Sequence, residues 1–207
     1  MKKCILFMLV VSLVFGLGIV SYAGNAEDAQ IESVMNHYKM IDEKYEVGEV
    51  LSDEDATFIK ENTQIISANT KLRSRGVIEK SKKPFRKDEE HLGVRVVFEG
   101  EVGGTSNFVY PAGQSFYGKT SAVAYKGLLS VKKMVTTVEI TTWGLTGDDG
   151  MVKAYEGKLT ASSTSEDPNH CYLDRSKSYT VVAPLLSVIH SWVDVTLDNG
   201  SFTIEGI

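Results

Sequence analysis

The sequence predicts a mainly β protein, an antiparallel β-sandwich or barrel-like domain preceded by a short α-helical hairpin. Three observations carry that expectation. Apolar residues recur at helical spacing only before residue 71, and from Leu92 onward they alternate with polar ones at period two. The later apolar stretches are separated by Gly, Asp and Pro turn signals, with no helical pattern between them.

The first element is not part of the fold. Met1-Lys2-Lys3 is a positive start, Cys4 to Val20 is an uncharged apolar run, and small residues follow at Ser21 and Ala23. That order predicts a secretory signal peptide over residues 1–23, cut between Ala23 and Gly24, and hence a secreted, extracellular protein. An uncleaved anchor is the rival reading, because the run is at the short end of a membrane span. The small-residue exit favours cleavage. Cys4 precedes the apolar run and so is not a lipoprotein cysteine. No second apolar run of that length follows, so no stable membrane span is expected after signal removal.

Cleavage leaves a single cysteine, Cys171, and one thiol cannot close an intramolecular bridge. Packing alone must hold the fold, which suits a bacterial exported protein better than a small disulfide scaffold. Charge divides the remainder into three zones. Residues 24–70 carry eleven acids against three bases, residues 71–87 eight bases against one acid, and residues 88–207 fifteen acids against nine bases. Such blocks mark boundaries of function or order.

In the acidic zone, 24–70, residues Ile31, Val34, Met35, Tyr38, Ile41 and Tyr45 share one helix face. Asn25 is placed to cap this helix and Gly48 to stop it. A second helix starts at Ser52, with Asp55 three residues on as in a capping box, and Ala56, Ile59 and Ile66 on one face. The stretch 71–91 is basic and broken by Gly76 and Pro84, which predicts a linker. Arg73, Arg75, Lys82 and Lys83 make it a candidate processing site, and its charge a candidate anion-attracting strip.

The β domain is expected over 92–207. Leu92, Val94, Val96 and Phe98 alternate with Gly93, Arg95, Val97 and Glu99. The stretch Val135 to Trp143 is rich in β-branched residues, and Val152 to Ala161 follows as a strand with a bulge expected at Gly157. Pro184 to Trp192 is ambiguous between strand and helix. Asn199-Gly200 predicts a type I′ hairpin in which Leu197 faces Phe202 and Val195 faces Ile204.

Motifs for chemistry are weak. Gly113 to Thr120 (GQSFYGKT) matches the phosphate-loop pattern letter for letter, but that chemistry needs a buried parallel strand before it and a helix after it. The flanking sequence predicts neither, so a strand–turn–strand corner is expected. Cys171 adjoins His170, with His190 and Asp194 later, yet strand neighbours point to opposite faces, so an inert thiol is expected. No G-x-S-x-G elbow is present. His37, His91, His170 and His190 have no metal-ligand spacing, and the doublets Asp148-Asp149 and Glu166-Asp167 sit beside turn formers. No cofactor and no metal are therefore expected, and an acidic β domain argues against nucleic acid.

The aromatic residues Phe108, Tyr110, Phe116, Tyr117 and Tyr125 cluster closely, and Tyr110, Phe116 and Tyr117 form a candidate binding patch for sugars or a partner chain. The expected function is a secreted non-enzymatic binding or interaction protein. The first alternative is a pre-pro-protein whose β domain is released by a cut in the basic linker as an antimicrobial or toxin-like factor. The second is a secreted hydrolase using Cys171 or an acidic pair.

Overall fold

The computed structural model describes residues 29–70, 79–106, 113–125, 130–147 and 150–207. The chain divides into two compact units, Met1–Ile41 and Asp42–Ile207. The first contains most of helix α1 (residues 29–44), which buries Val34, Tyr38 and Ile41 along one face, as its periodicity predicts.

The second unit holds helix α2 (Asp53–Thr70) and strands β1 (Glu79–His91), β2 (Val94–Ser106), β3 (Gln114–Tyr125), β4 (Val131–Leu145), β5 (Met151–Ser162), β6 (His170–Tyr179), β7 (Pro184–Leu197) and β8 (Gly200–Glu205). They form two four-stranded sheets, ordered β1-β2-β3-β6 and β5-β4-β7-β8, with every neighbouring pair antiparallel. Neither sheet closes on itself, so the architecture is sandwich-like.

Between the sheets lie two apolar clusters. Val96, Phe98 and Ala122 of the first sheet meet Val193, Val195 and Ile204 of the second. Val102, Phe116 and Leu173 meet Val138, Ile140 and Ile189. These inward residues fix the phase of five strands: even positions point inward along most of β2, β3 and β4, odd positions in β6 and β7.

The cap of α2 forms where the sequence places it, with one addition. The Ser52 hydroxyl accepts from the Asp55 amide at 3.3 Å and donates to its carboxylate at 3.0 Å. The Asp55 carboxylate does not itself bond the Ser52 amide. Tyr45 bridges the gap, its hydroxyl accepting from Ser52 N at 3.0 Å and donating to Asp55 Oδ2 at 2.6 Å. Lys44 adds an ion pair at 2.6 Å. Led by Lys44, and helped by Tyr45 and Ser52, these bonds hold the Asp55 carboxyl at about 2. The helix so fixed buries Ile59 and Ile66 and packs against β7.

Several expectations are corrected. Residues 79–91 of the predicted linker are strand β1, so Lys82 and Lys83 lie in a paired strand. Phe85 is the one apolar residue that β1 packs inward, which leaves its period hard to read. Leu92 does not begin the next strand. With Gly93 it makes a two-residue turn, both at positive φ (52° and 74°), the geometry of a type I′ hairpin.

The last hairpin is shifted: Leu197 pairs with Gly200, Val195 with Phe202 and Val193 with Ile204, so the loop is Asp198-Asn199. A shift of two residues keeps each side chain on its face, so binary pattern cannot detect it. The bulge in the β4–β5 pair falls at Ala154, not Gly157, and it turns Lys153 toward the outer face. Gly157 instead leaves room for the Tyr155 ring, whose hydroxyl lies 2.4 Å from where a Cβ would stand. Pro184 to Trp192 is strand throughout.

Candidate functional site

The outer faces of the two sheets differ, and that difference locates the site. On the second sheet, Trp143, Leu186 and Val188 occupy outward-pointing positions yet are buried, and α2 packs on β7 there. On the first sheet most outward positions are polar and at least partly open, buried Val97 apart, with tyrosines among paired charges.

Tyr117 and Tyr125 belong to the outward phase of β3, and Tyr172 to that of β6 opposite Ser121. Tyr172 and Tyr125 are 57% and 50% exposed. Along β3, Tyr117 and Tyr125 stand eight residues apart, roughly 27 Å at strand rise, with Tyr172 midway on the neighbouring strand. The Tyr117 hydroxyl donates to Glu101 at 2.8 Å, and that of Tyr172 to Asp174 at 3.0 Å. Burial first, and then the Glu101 bond, push the Tyr117 hydroxyl up to about 12. The Asp174 bond likewise raises that of Tyr172. Both phenols are therefore neutral donors at ordinary pH, with their rings held in place. The Tyr125 ring lies 5.4 Å from the Arg95 guanidinium.

Most charges on this face are paired. Lys82 pairs with Glu101 and Arg86 with Glu99, while Arg95 makes a two-pronged contact with Asp88 at 2.8 and 2.6 Å. Accordingly Glu101 is held below its ordinary value, chiefly by Lys82, and Asp88 by Arg95. His170 bonds Asp167 at 2.9 Å at the end of the face.

The sequence-predicted residues divide. Tyr117 is on the face. Phe116 is fully buried inward, edge-on to Tyr179 at 6.3 Å, because strand neighbours alternate; it belongs to the core, not to a binding patch. Tyr110, Arg73, Arg75, Ala23, Gly24 and Asp148-Asp149 lie outside the described residues. Tyr172 was missed, although the alternation His170, Tyr172, Asp174 carries its signal beside the more conspicuous Cys171. Residues 114–120 of the phosphate-loop match are extended strand, paired on both sides, with Thr120 buried; no loop is left to wrap a phosphate. Cys171 points into the core and its Sγ donates to the Ala161 carbonyl at 3.3 Å, while His170 faces the other way.

A second titratable cluster lies on the outer face of the second sheet. The Lys153 side chain, 4% exposed, meets Asp42 Oδ1 at 3.0 Å, the Asp42 carbonyl at 2.9 Å and Glu156 at 2.8 Å, with the Trp143 ring 6.0 Å away. Burial works against this ammonium, but Glu156 and Asp42 outweigh it and leave its pKa raised. Lys158 contacts Glu139 at 2.9 Å and Glu156 at 3.6 Å. Burial raises Glu139, with Lys158 opposing; the Lys153 bond lowers Glu156. Two carboxyls pushed apart resemble an acid–base pair. Each, however, is engaged by a lysine at hydrogen-bond distance. The cluster's chemistry is that of an ion network pinning residue 42 to β5.

Among the described residues no group of three or more His, Cys, Asp or Glu side chains is gathered to hold a metal ion, and no helix is long and apolar enough to cross a membrane. No protein-family model matches the chain, and no curated protein or solved structure is similar to it.

Proposed function

We propose that this chain is a secreted, non-enzymatic binding protein whose ligand, a carbohydrate chain, lies along the outer face of the β1-β2-β3-β6 sheet. One observation carries the reading: two exposed tyrosine rings, Tyr125 beside Arg95 and Tyr172 on Asp174, stand in line with the half-buried Tyr117 on a face most of whose charges already have partners. Matched charge offers little to a strongly charged ligand. A ring with an apolar face and a polar tip suits an uncharged, hydroxyl-rich polymer, which stacks on one and hydrogen-bonds the other. Held rings also lose little entropy on binding.

The test is retention of the purified protein on cellulose, chitin and purified peptidoglycan, and retardation in gels containing soluble glycans. Binding to at least one is expected, weakened about tenfold by Tyr125→Ala or Tyr172→Ala and unchanged by Lys158→Ala on the other sheet. Absence of binding to every glycan, or binding indifferent to both tyrosines, overturns the reading.

A further inference from the structure

β1 is the outermost strand of the first sheet, and among the described residues it is bonded to β2 along one side only. A bare edge 13 residues long invites pairing, and proteins either suppress such pairing or use it. The hydrogen-bond phase of this edge follows from its hairpin. The two-residue turn closes on His91–Val94, a hydrogen-bonded pair, so alternation places Pro84–Glu101 among the pairs that exchange no bonds. Pro84 thus costs β2 nothing. Even-numbered residues from 82 to 90 turn their backbone groups to the free side, where Pro84 lacks only its N–H.

The charges along that edge are not uniform. Lys82, Lys83, Arg86 and Lys87 come first, and Asp88, Glu89 and Glu90 follow. An edge with charge of one sign repels every copy of itself. An edge basic at one end and acidic at the other repels a parallel copy and matches an antiparallel one.

We propose that this edge is a homodimer interface, in which β1 of a second copy adds antiparallel across a two-fold axis at Arg86 and makes one continuous eight-stranded sheet. The two-fold operation requires antiparallel strands and a self-complementary surface. The backbone phase admits only registers that join even-numbered residues to even-numbered ones. One of these sets Lys82 against Glu90 and Lys83 against Glu89, each contact occurring twice, so both faces of the new pair are charge-matched. Its single like pair, Arg86 against its own copy, is relieved because each guanidinium already holds Glu99. Of the two registers two residues away, one sets Lys83 against Lys87 twice; the other sets Lys87 against its own copy and leaves Lys82 and Lys83 with no carboxylate opposite. This interface stands on the edge strand alone and does not depend on the carbohydrate reading.

Sedimentation velocity and light scattering on the purified protein test it. A concentration-dependent dimer is expected, weakening as salt is raised. Lys82→Glu with Lys83→Glu loosens it at least about tenfold, and adding Glu89→Lys with Glu90→Lys restores it. A merely destabilised fold would not be rescued by reversing both ends. Register is read by oxidation of Ser81→Cys with His91→Cys, whose positions face each other in the proposed pairing. A covalent dimer is expected there, and little with Ser81→Cys and Glu89→Cys. A monomer at every concentration, or a dimer untouched by the charge reversals, overturns the proposal.

Discussion

The two sheets of this sandwich are built alike and finished differently. β3 alternates buried and open positions almost without exception, because one side meets the core and the other meets water. β4 is buried at most positions, odd and even, because its sheet has a second covered side. The same antiparallel ladder therefore yields two sequence signatures, and the covering layer decides which appears. One outer face is a second hydrophobic interface. The other is a surface whose side chains are largely open to water.

The largest break in this contrast comes from removing the cover. Deleting residues 24–78 uncovers Leu186 and Val188 on β7. The shortened protein is expected to bind a hydrophobic dye and aggregate, as large exposed apolar patches do. The same experiment bears on release of the β domain by a cut in the basic stretch. The product in culture supernatant is expected by intact mass to begin at Gly24. A soluble, dye-silent product beginning after Arg73 would favour processing instead.

Single substitutions sharpen the contrast. Trp143→Ala, at a fully buried outward position of β4, is expected to cost about 3–5 kcal/mol in denaturant unfolding. Tyr172→Ala on the open face should leave the midpoint unchanged. If both lower it equally, the first sheet's face is also structural. Lys153→Ala leaves Asp42 and Glu156 facing each other without their shared cation, and about 3 kcal/mol is expected. Lys82→Ala, whose ammonium is open to solvent, should be silent in the same assay.

How much of this was readable follows from the same contrast. The strand alternation at Val94, Val96 and Phe98 and the α2 cap at Ser52 were legible, because each rests on local chemistry. β1 was not. Its inward positions at a sheet rim hold polar Ser81 and the lysines Lys83 and Lys87, whose long stems can carry their charge to water, so no apolar period survives. The Asn199-Gly200 register failed because parity is blind to a shift of two. In the aromatic patch, Tyr117 was legible and Phe116 was not separated from it, since composition does not give strand phase. Tyr172 joins the face only through β3–β6 pairing, a contact between residues about fifty apart in the chain.

The smallest effect concerns the cap that holds the cover in place. Ser52→Ala removes the acceptor for the Asp55 amide and should cost about 1 kcal/mol. The carboxylate of the same cap gives this loss a pH signature. Asp55 is depressed from 3.8 to about 2, so the folded state prefers it ionised; its stabilisation is complete above the unfolded value and fades as pH falls through the folded one. Glu139 acts in the opposite sense. Its raised pKa favours the folded state while the group is protonated, and that contribution is lost as pH rises through its folded value. Asp55→Asn should therefore flatten the acid limb of the stability curve between about 3.8 and about 2, whereas Glu139→Gln should alter the curve only above that window. Thermal unfolding across this range, followed by helix-sensitive circular dichroism, separates the two. An Asp55→Asn curve parallel to the unmodified protein's would mean that the cover of the second sheet does not depend on this carboxylate.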